Sequence, residues 1–116
     1  MILTTERIHL LAQLLNVASL RHDVIAQNVA NVNTPGYQTL EVSFEEMLQE
    51  ALATGAPVQP TPLVVPGQGG IERDDGNNVD IDMEIARLQK NSLYFKVYTQ
   101  LLATELAQYR SAISGR

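Results

Sequence analysis

Apolar side chains recur at alternating intervals of three and four residues over the first third of the chain. This spacing places them on one side of an α-helix, so it predicts an N-terminal helix over residues 4–33. The main line consists of Ile8, Leu11, Leu15, Ala18, His22, Ile25, Val29 and Val32. A second line of Leu10, Leu14, Val17 and Val24 widens the apolar stripe, which predicts contact with more than one neighbouring element.

Local signals define both ends of this helix. Thr4 or Thr5 is suited to cap its start. At the other end, Pro35 excludes Thr34 from helical geometry, and the Pro35-Gly36 pair suits the centre of a type II turn, in which Gly36 takes a positive φ. The helix is therefore expected to stop just before this turn.

A second long helix is predicted over residues 80–114. Its apolar line comprises Ile81, Ile85, Leu88, Ser92, Phe95, Thr99, Leu102, Leu106, Tyr109 and Ile113. Asp80 is a suitable N-cap, Asp82 and Glu84 complement the helix dipole in the first turn, and Gly115 marks the end. Tyr94, Tyr98 and Leu101 form a further line beside the main one.

The connecting region, 34–79, is rich in proline and glycine. Ser43 and Glu46 fit a capping box, which predicts a short helix over 44–53. Residues 55–78 contain one apolar patch, Leu63-Val64-Val65, and composition leaves open whether they form a loose hairpin or an irregular loop.

These elements predict an all-α fold in one domain, 1–116, built as an elongated antiparallel pair of amphipathic helices. Both stripes are wider than one coiled-coil seam, and surplus apolar surface usually indicates a partner. The residues expected to pack at subunit contacts are Leu11, Leu15, Ile25, Val29, Ile85, Leu88, Tyr94, Phe95, Tyr98, Leu101, Leu102 and Leu106.

Composition excludes several function classes. The chain has no cysteine, so disulfide scaffolds, thiolate metal sites and cysteine nucleophiles are ruled out. A net charge of −5 with scattered cations does not favour nucleic-acid binding. The uncharged stretch between Arg7 and Arg21 is too short to cross a bilayer, and no cleavable signal pattern is present.

No catalytic or cofactor site emerges from the motifs. His9 and His22 fall on different faces of the first helix, so they do not share a metal, and His22 is expected to be a packed structural residue. The acidic run 74–82 fails the spacing of a calcium loop, because Ile71 occupies the first ligand position. We therefore predict no enzyme activity, no cofactor, no metal and no small-molecule substrate.

Ten contiguous residues, 28–37, carry the most specific signal in the chain. Near a helix end, Asn28, Asn31 and Asn33 either satisfy backbone groups or mark an interface. Together with Thr34, Pro35, Gly36 and Tyr37, they closely resemble the signature of bacterial flagellar rod and hook proteins. Residues 75–84 and 91–95 are similar to the proximal-rod branch of that family.

The resemblance implies a structural subunit of the flagellar basal body, exported by the flagellar type III apparatus without a cleaved signal. Its terminal helices would pack with neighbouring rod proteins into a helical hetero-oligomer in the periplasmic rod. The implied partners are other rod proteins, a basal rod adaptor protein, the MS ring and the export gate. The alternative function is a soluble helical-hairpin adaptor or export chaperone that masks a partner's amphipathic helix.

Overall fold

The computed structural model describes residues 2–55 and 60–115. Along the chain, the elements are α1 (Ile2–Ala30), β1 (Leu40–Ser43), α2 (Glu45–Thr54), β2 (Leu63–Pro66) and α3 (Ile81–Ser114). The two long terminal helices expected from the apolar spacing are confirmed. They lie side by side in a molecule that extends 64 × 29 × 14 Å.

The two long helices run antiparallel. The Asn28 amide near the end of α1 donates to Glu84 at the start of α3, and Asn91 further along α3 donates to the Ala18 carbonyl. At the opposite end of the helix pair, Arg7 Nε lies 3.8 Å from Glu105 Oε1. Residues later in α3 therefore contact residues earlier in α1. Because the two long helices lie side by side along most of their length, the molecule has the shape of a rod.

The face of α3 that meets α1 coincides with only part of the predicted apolar stripe. Two lines of residues, each with seven-residue spacing, form this seam. One is apolar or aromatic, comprising Leu88, Phe95, Leu102 and Tyr109, and it was part of the predicted stripe. The other consists of Glu84, Asn91, Tyr98 and Glu105, which are all at least partly buried. Polar groups therefore occupy half of the seam, and the remaining predicted line, including Ile85 and Leu106, is exposed.

The main apolar core lies on another side of α1. Val17 and Val24 of α1 are buried against Val42 of β1 and Phe44, with Leu14, Leu20, Leu40 and Leu48 packed around them. The width of the α1 stripe is explained by this arrangement, because α1 packs against both α3 and β1. The prediction that α1 contacts more than one neighbour is confirmed.

A two-stranded sheet makes the all-α prediction incomplete. β1 and β2 pair antiparallel, with Leu40 opposite Pro66 and Ser43 opposite Leu63. The Gly67 amide extends the pairing by donating to the Thr39 carbonyl. The apolar patch predicted within 55–78 is thus a strand, and in the described residues its partner lies before α2, outside that segment. Residues 56–59 of that segment lie outside the described residues.

The predicted capping box is also wrong. Ser43 belongs to β1, the N-cap of α2 is Phe44, and no side chain caps that end. The helix occupies Glu45–Thr54, one residue later than expected. Pairing of Ser43 with β2 and burial of Phe44 decide the helix start, because both involve contacts beyond the local sequence.

The caps of α3 agree with the local signals. An Asp80 carboxylate oxygen accepts hydrogen bonds from the Asp82 and Met83 amides at 2.9 and 3.3 Å. Gly115 takes a φ of 71° and donates to the Ser111 carbonyl. At the other terminus, α1 begins at Ile2, so Thr4 and Thr5 lie inside the helix and do not precede it as caps.

The turn after α1 has the predicted geometry. Gly36 has a φ of 75°, and the Tyr37 amide donates to the Thr34 carbonyl at 3.2 Å, as a type II turn centred on Pro35-Gly36 requires. A Cβ added at Gly36 would meet nothing within 4 Å. The requirement for glycine therefore comes from the backbone conformation and not from crowding.

We expect Gly36→Val to lower the free energy of unfolding by roughly 1 to 3 kcal/mol, because a β-branched residue is strained at positive φ. Helical content should be retained, since the turn lies outside both long helices. Urea unfolding followed by circular dichroism measures both quantities. Gly36→Asn is the matched control, because asparagine tolerates this conformation and should lose much less stability. Equal losses in the two variants would contradict the prediction.

Candidate functional site

Asn28 joins α1 to both β1 and α3. Its side-chain nitrogen donates to the Leu40 carbonyl at 2.8 Å and to a Glu84 carboxylate oxygen at 3.0 Å. Its side-chain oxygen accepts from the Leu40 amide at 3.0 Å and from the Tyr37 hydroxyl at 2.9 Å. The residue is fully buried, and this set uses both donors and both lone pairs of the amide.

The bonds to Leu40 give Asn28 a further role at the edge of the sheet. Leu40 presents its amide and carbonyl on the side of β1 away from β2, and the Asn28 amide pairs with both. Arg21, two turns earlier on α1, donates to the Val42 carbonyl at 3.2 Å. Side chains of α1 therefore cover groups that an unpaired strand edge would otherwise present for association.

The turn after α1 is bonded to the segment that precedes α3. The Gly36 amide donates to the Asp75 carbonyl at 2.8 Å. Asn77, which is fully buried, donates through its side chain to the Asn31 and Thr34 carbonyls at 2.9 and 2.8 Å. Residues 28–37, which carry the family signature, and residues 75–84, which resemble its proximal-rod branch, thus meet in one polar junction, called the signature junction below.

Asn78 adds a second link within the signature junction. Its side-chain oxygen accepts from the Thr39 amide at 2.7 Å and from the Thr39 hydroxyl at 3.0 Å. Its backbone amide donates to the Tyr37 carbonyl at 3.3 Å. Asn77 therefore binds the turn at Asn31 and Thr34, while Asn78 binds Thr39 just after it. These bonds account for the polar residues that precede α3.

Glu84 carries a buried charge into the signature junction. Its carboxylate pairs with Arg87 one turn later on α3, while the second oxygen accepts from Asn28. Burial, followed by the nearby negative charge of Glu84, raises the pKa of the Tyr37 hydroxyl above its ordinary value. Tyr37 therefore stays protonated and donates to Asn28 across the neutral pH range.

The other signature residues lie at the surface of the turn. Asn31 makes local bonds, donating to the Gln27 carbonyl at 2.8 Å and accepting from the Thr34 hydroxyl at 3.0 Å. Asn33, Thr34, Pro35 and Gly36 are exposed. Of the asparagines singled out in the sequence, Asn31 fits the local interpretation, whereas Asn28 connects distant elements.

Large apolar side chains of α3 are exposed on both flanks of the seam. The first flank comprises Leu93, Tyr94, Val97 and Leu101, which are 60%, 42%, 43% and 48% exposed. The second flank comprises Ile81, Ile85, Leu106 and Ile113, and Phe95 at the edge of the seam is itself 44% exposed. Tyr94 and Tyr98 stack with ring centroids 6.1 Å apart, so the half-buried Tyr98 connects the first flank to the seam.

The predicted packing residues fall into three groups. Ile25 is buried within the chain. Half-buried positions, which help to close the hairpin, are Leu11, Leu15, Leu88, Tyr98 and Leu102. Exposed positions are Val29, Ile85, Tyr94, Phe95, Leu101 and Leu106. The surplus apolar surface is thus mainly on α3, since Val29 is the one large apolar side chain of α1 that is exposed within residues 5–30.

Three further features considered in the sequence are His22, metal binding and membrane spanning. His22 is exposed, so the expectation that it packs in the seam is wrong. Within residues 2–55 and 60–115, no group of three or more His, Asp or Glu side chains is arranged to hold a metal ion. Across the same residues, no helix has the length and apolar character that a membrane span requires.

Comparisons with known proteins identify the family. Residues 15–38 match the sequence model of the flagella basal body rod protein family. The flagellar basal body rod protein FlgB of Borrelia hermsii is 31% identical over 112 residues, which cover 77% of this chain and 82% of that protein. The chain belongs to the FlgB family. FlgB of Salmonella typhimurium is 27% identical and FlgB of Bacillus subtilis 25% identical, each alignment covering 87% of this chain and 88% of the relative.

Membership of the FlgB family confirms the resemblance found in the sequence. This FlgB-family chain is a structural subunit of the flagellar basal body rod and not an enzyme. It assembles with other components of the basal body. The family does not favour the alternative of an adaptor or export chaperone.

Sequence reasoning missed Glu84, Asn77 and Asn78 as members of the signature junction. In the sequence, Asn77 and Asn78 stand out only as members of the run 74–82, which fails the spacing of a calcium loop. Glu84 is predicted only to complement the helix dipole, although Glu84, Asn91, Tyr98 and Glu105 follow one another at seven-residue intervals, which is a readable signal. The partners of these side chains lie 39 to 56 positions away, which local patterns do not specify.

We expect Asn28→Ala to lower the free energy of unfolding by about 3 kcal/mol, because it leaves buried groups of Leu40 and Glu84 without partners. Asn33→Ala is the matched control, since Asn33 is exposed in the same turn and should change stability by less than about 0.5 kcal/mol. Chemical denaturation of both variants gives the comparison. An Asn28→Ala protein as stable as the Asn33→Ala protein would refute the role of Asn28.

The raised pKa of Tyr37 predicts a loss of stability in alkali. The folded state holds the Tyr37 proton more tightly than the unfolded state, whose hydroxyl has the ordinary pKa of 10.0. The contribution is therefore complete below that value and disappears as the pH rises through the folded pKa. Unfolding free energies measured across this range should fall less steeply for Tyr37→Phe. Identical slopes would contradict the assignment, since Tyr98, whose pKa is also raised by burial, is common to both proteins.

Proposed function

We propose that this chain is a subunit of the proximal rod near the MS ring, and that it packs with neighbouring axial subunits through its terminal helices. The resemblance of residues 75–84 and 91–95 to the proximal-rod branch supports the location. The exposed flanks of α3 support the mode of assembly. They are the single observation on which the packing proposal rests.

The exposed apolar residues of the first flank are contiguous and not scattered singly over the surface. Leu93, Val97 and Leu101 follow one another at four-residue intervals, so they form a continuous ridge on the helix. A monomer rarely leaves such a contiguous apolar surface uncovered. Neighbouring helices that cover ~600 to 800 Å² of it would contribute roughly 15 to 20 kcal/mol per subunit before entropic costs.

The electrostatics of the first flank also suit an assembly contact. Lys90 lies over the Tyr94 ring with its ammonium 5.8 Å from the centroid. Arg21 pairs with Glu45 at the adjoining cleft between α1 and β1. Burial raises the pKa of the Glu45 carboxyl, but its hydrogen bond with Arg21 and further favourable contacts outweigh this effect and lower the pKa overall. The charges beside the apolar ridge are thus largely compensated within the chain.

The polar half of the α1–α3 seam bears on how the pair assembles. Polar residues in a helical seam reduce stability but fix register and orientation. Asn91 does this by donating to the Ala18 carbonyl at 2.7 Å in a buried position. We propose that the seam fixes the alignment of the two helices, while neighbouring subunits supply the apolar burial that the seam lacks.

The proposal includes the partners implied by the family resemblance. These are other rod proteins, the basal rod adaptor protein, the MS ring and the flagellar type III export gate. The resulting assembly is a helical hetero-oligomer in the periplasmic rod, reached by export without a cleaved signal. Heterologous contacts that do not close on themselves generate such a helical arrangement.

We expect the double variant Leu93→Ser/Leu101→Ser to fold normally and to fail in rod incorporation. Both side chains are about half exposed, so their loss should change stability little, while the contact surface of the first flank is removed. Immunoblots of isolated basal bodies and swimming assays measure incorporation and function. Leu52→Ser is the control, because Leu52 is 67% exposed on α2, away from both flanks. Wild-type incorporation of the double variant would overturn the packing proposal.

A further inference from the structure

Ile71 protrudes from an acidic loop at the junction end of the molecule. Its side chain is 94% exposed, which is the largest exposure among the large apolar residues of the described ranges. Glu72, Asp74 and Asp75, which are also exposed, follow it closely in the chain. An isolated aliphatic side chain among carboxylates makes no contribution to this chain's own core.

The loop that carries Ile71 is held in a defined position. The Arg73 amide donates to the Asn77 carbonyl at 2.9 Å, and the Gly76 amide donates back to the Arg73 carbonyl at 2.9 Å. The Arg73 guanidinium donates to the Val79 carbonyl at 2.9 Å and also to the Val32 carbonyl. Because Arg73 is bound to backbone groups, it leaves the carboxylates around Ile71 without a cationic partner on this loop.

A cavity of about 400 Å³ lies between α1 and α3. Its lining includes Ala18, Ser19, His22, Ser92, Phe95 and Lys96. Ala18, Ser19 and Ser92 contribute small side chains to the lining, Phe95 is 44% exposed, and His22 and Lys96 are exposed polar residues of the lining. The cavity is large enough for an aliphatic side chain such as isoleucine.

The charges that α3 brings to this cavity complement those around Ile71, while Asp23 follows His22 on the α1 side. From Ile85 to Thr104, α3 contains Arg87, Lys90 and Lys96 and no Asp or Glu. Arg87 is paired with Glu84, but Lys96 has no acidic neighbour within this stretch of helix. An acidic loop is therefore attracted to this part of α3, whereas an acidic surface meeting the Ile71 loop would be repelled.

We propose that Ile71 of one copy of this chain inserts into the α1–α3 cavity of a second copy, with Glu72, Asp74 and Asp75 of the loop facing Lys96. The inference deepens the proposed function and rests on it. The loop and the cavity are different surfaces of one molecule, so the contact is heterologous and leaves a free loop and a free cavity at opposite ends of each pair. It therefore gives the assembly a direction.

The contact forms only between molecules. The Gly70 amide donates to the Asn78 carbonyl at 2.8 Å, which holds the loop beside the start of α3. Ser92 lies eleven residues into α3, about 16 Å further along at roughly 1.5 Å per residue. A disulfide requires Cα atoms within about 7 Å, so cysteines at positions 71 and 92 of one molecule are out of reach of each other.

The absence of cysteine makes disulfide trapping a direct test. Cells carry Ile71→Cys/Ser92→Cys as the sole copy of this gene, and isolated basal bodies are oxidised and run on non-reducing gels. We expect dimers and a ladder of larger species that disappear on reduction. Leu52→Cys/Ser92→Cys is the matched control, because Leu52 is also exposed but lies outside the loop, and it should give no ladder.

Charge reversal tests the electrostatic part of the contact. Adding Lys96→Glu to the cysteine pair should reduce the cross-linked fraction by about tenfold, and adding Asp74→Lys as well should restore most of it. A cross-linked fraction that is insensitive to Lys96→Glu overturns the proposal. So does cross-linking of the control pair to the same extent.

The outcomes separate this inference from the proposed function. Rods that contain the Ile71→Cys/Ser92→Cys chain but give no dimer show that the loop contact is wrong while packing through α3 stands. A cysteine variant absent from the rods is tested as concentrated purified protein, where the same ladder is expected and its absence again overturns the inference. A separate result contradicts the proposed function, namely normal incorporation of the Leu93→Ser/Leu101→Ser chain into rods.

Discussion

The buried amide of Asn28 is the interaction on which the arrangement of elements depends. It is located at the last turns of α1, and its four hydrogen bonds reach β1, the turn at Tyr37 and the start of α3. Removing any one of these partners would leave a buried donor or acceptor without a hydrogen bond, which costs about 1 to 3 kcal/mol of folding stability. The position of the sheet and the direction of α3 are therefore coupled to one side chain.

This coupling places specificity at one end of the molecule. The signature junction contains buried polar residues with complete sets of partners, such as Asn28 and Asn77. The apolar core at Val17, Val24 and Phe44 lies beside the middle of α1. Further along α3, the side chains that would form an extended core are instead exposed. The chain thus has a well-defined junction and a long helical pair whose burial is incomplete without neighbours.

That division suits a subunit of a rod. A fully satisfied junction fixes the shape of each subunit, since polar networks tolerate few alternative arrangements. In the proposed assembly, the apolar flanks of α3 would attract neighbours without direction, and the separation between the acidic loop and the cationic stretch of α3 would provide direction.

The sequence by itself determined the local features. Apolar spacing predicted both long helices, Asp80 and Gly115 predicted the ends of α3, and Pro35-Gly36 predicted the turn, because each depends on residues within a few positions of one another. The excess of apolar surface was also readable, since the width of a stripe is a property of one helix. The ten-residue signature then identified the family.

Only the tertiary structure decided which surfaces meet. α3 is apolar on both sides of the line through Glu84 and Asn91, so periodicity did not select the seam, and burial of those polar residues depends on Asn28 and Ala18 of α1. The pairing of β1 with β2 spans α2, and it removed Ser43 from the capping box predicted for that helix. These outcomes rest on hydrogen bonds and strand pairing between residues 20 to 73 positions apart, where local sequence preferences no longer discriminate.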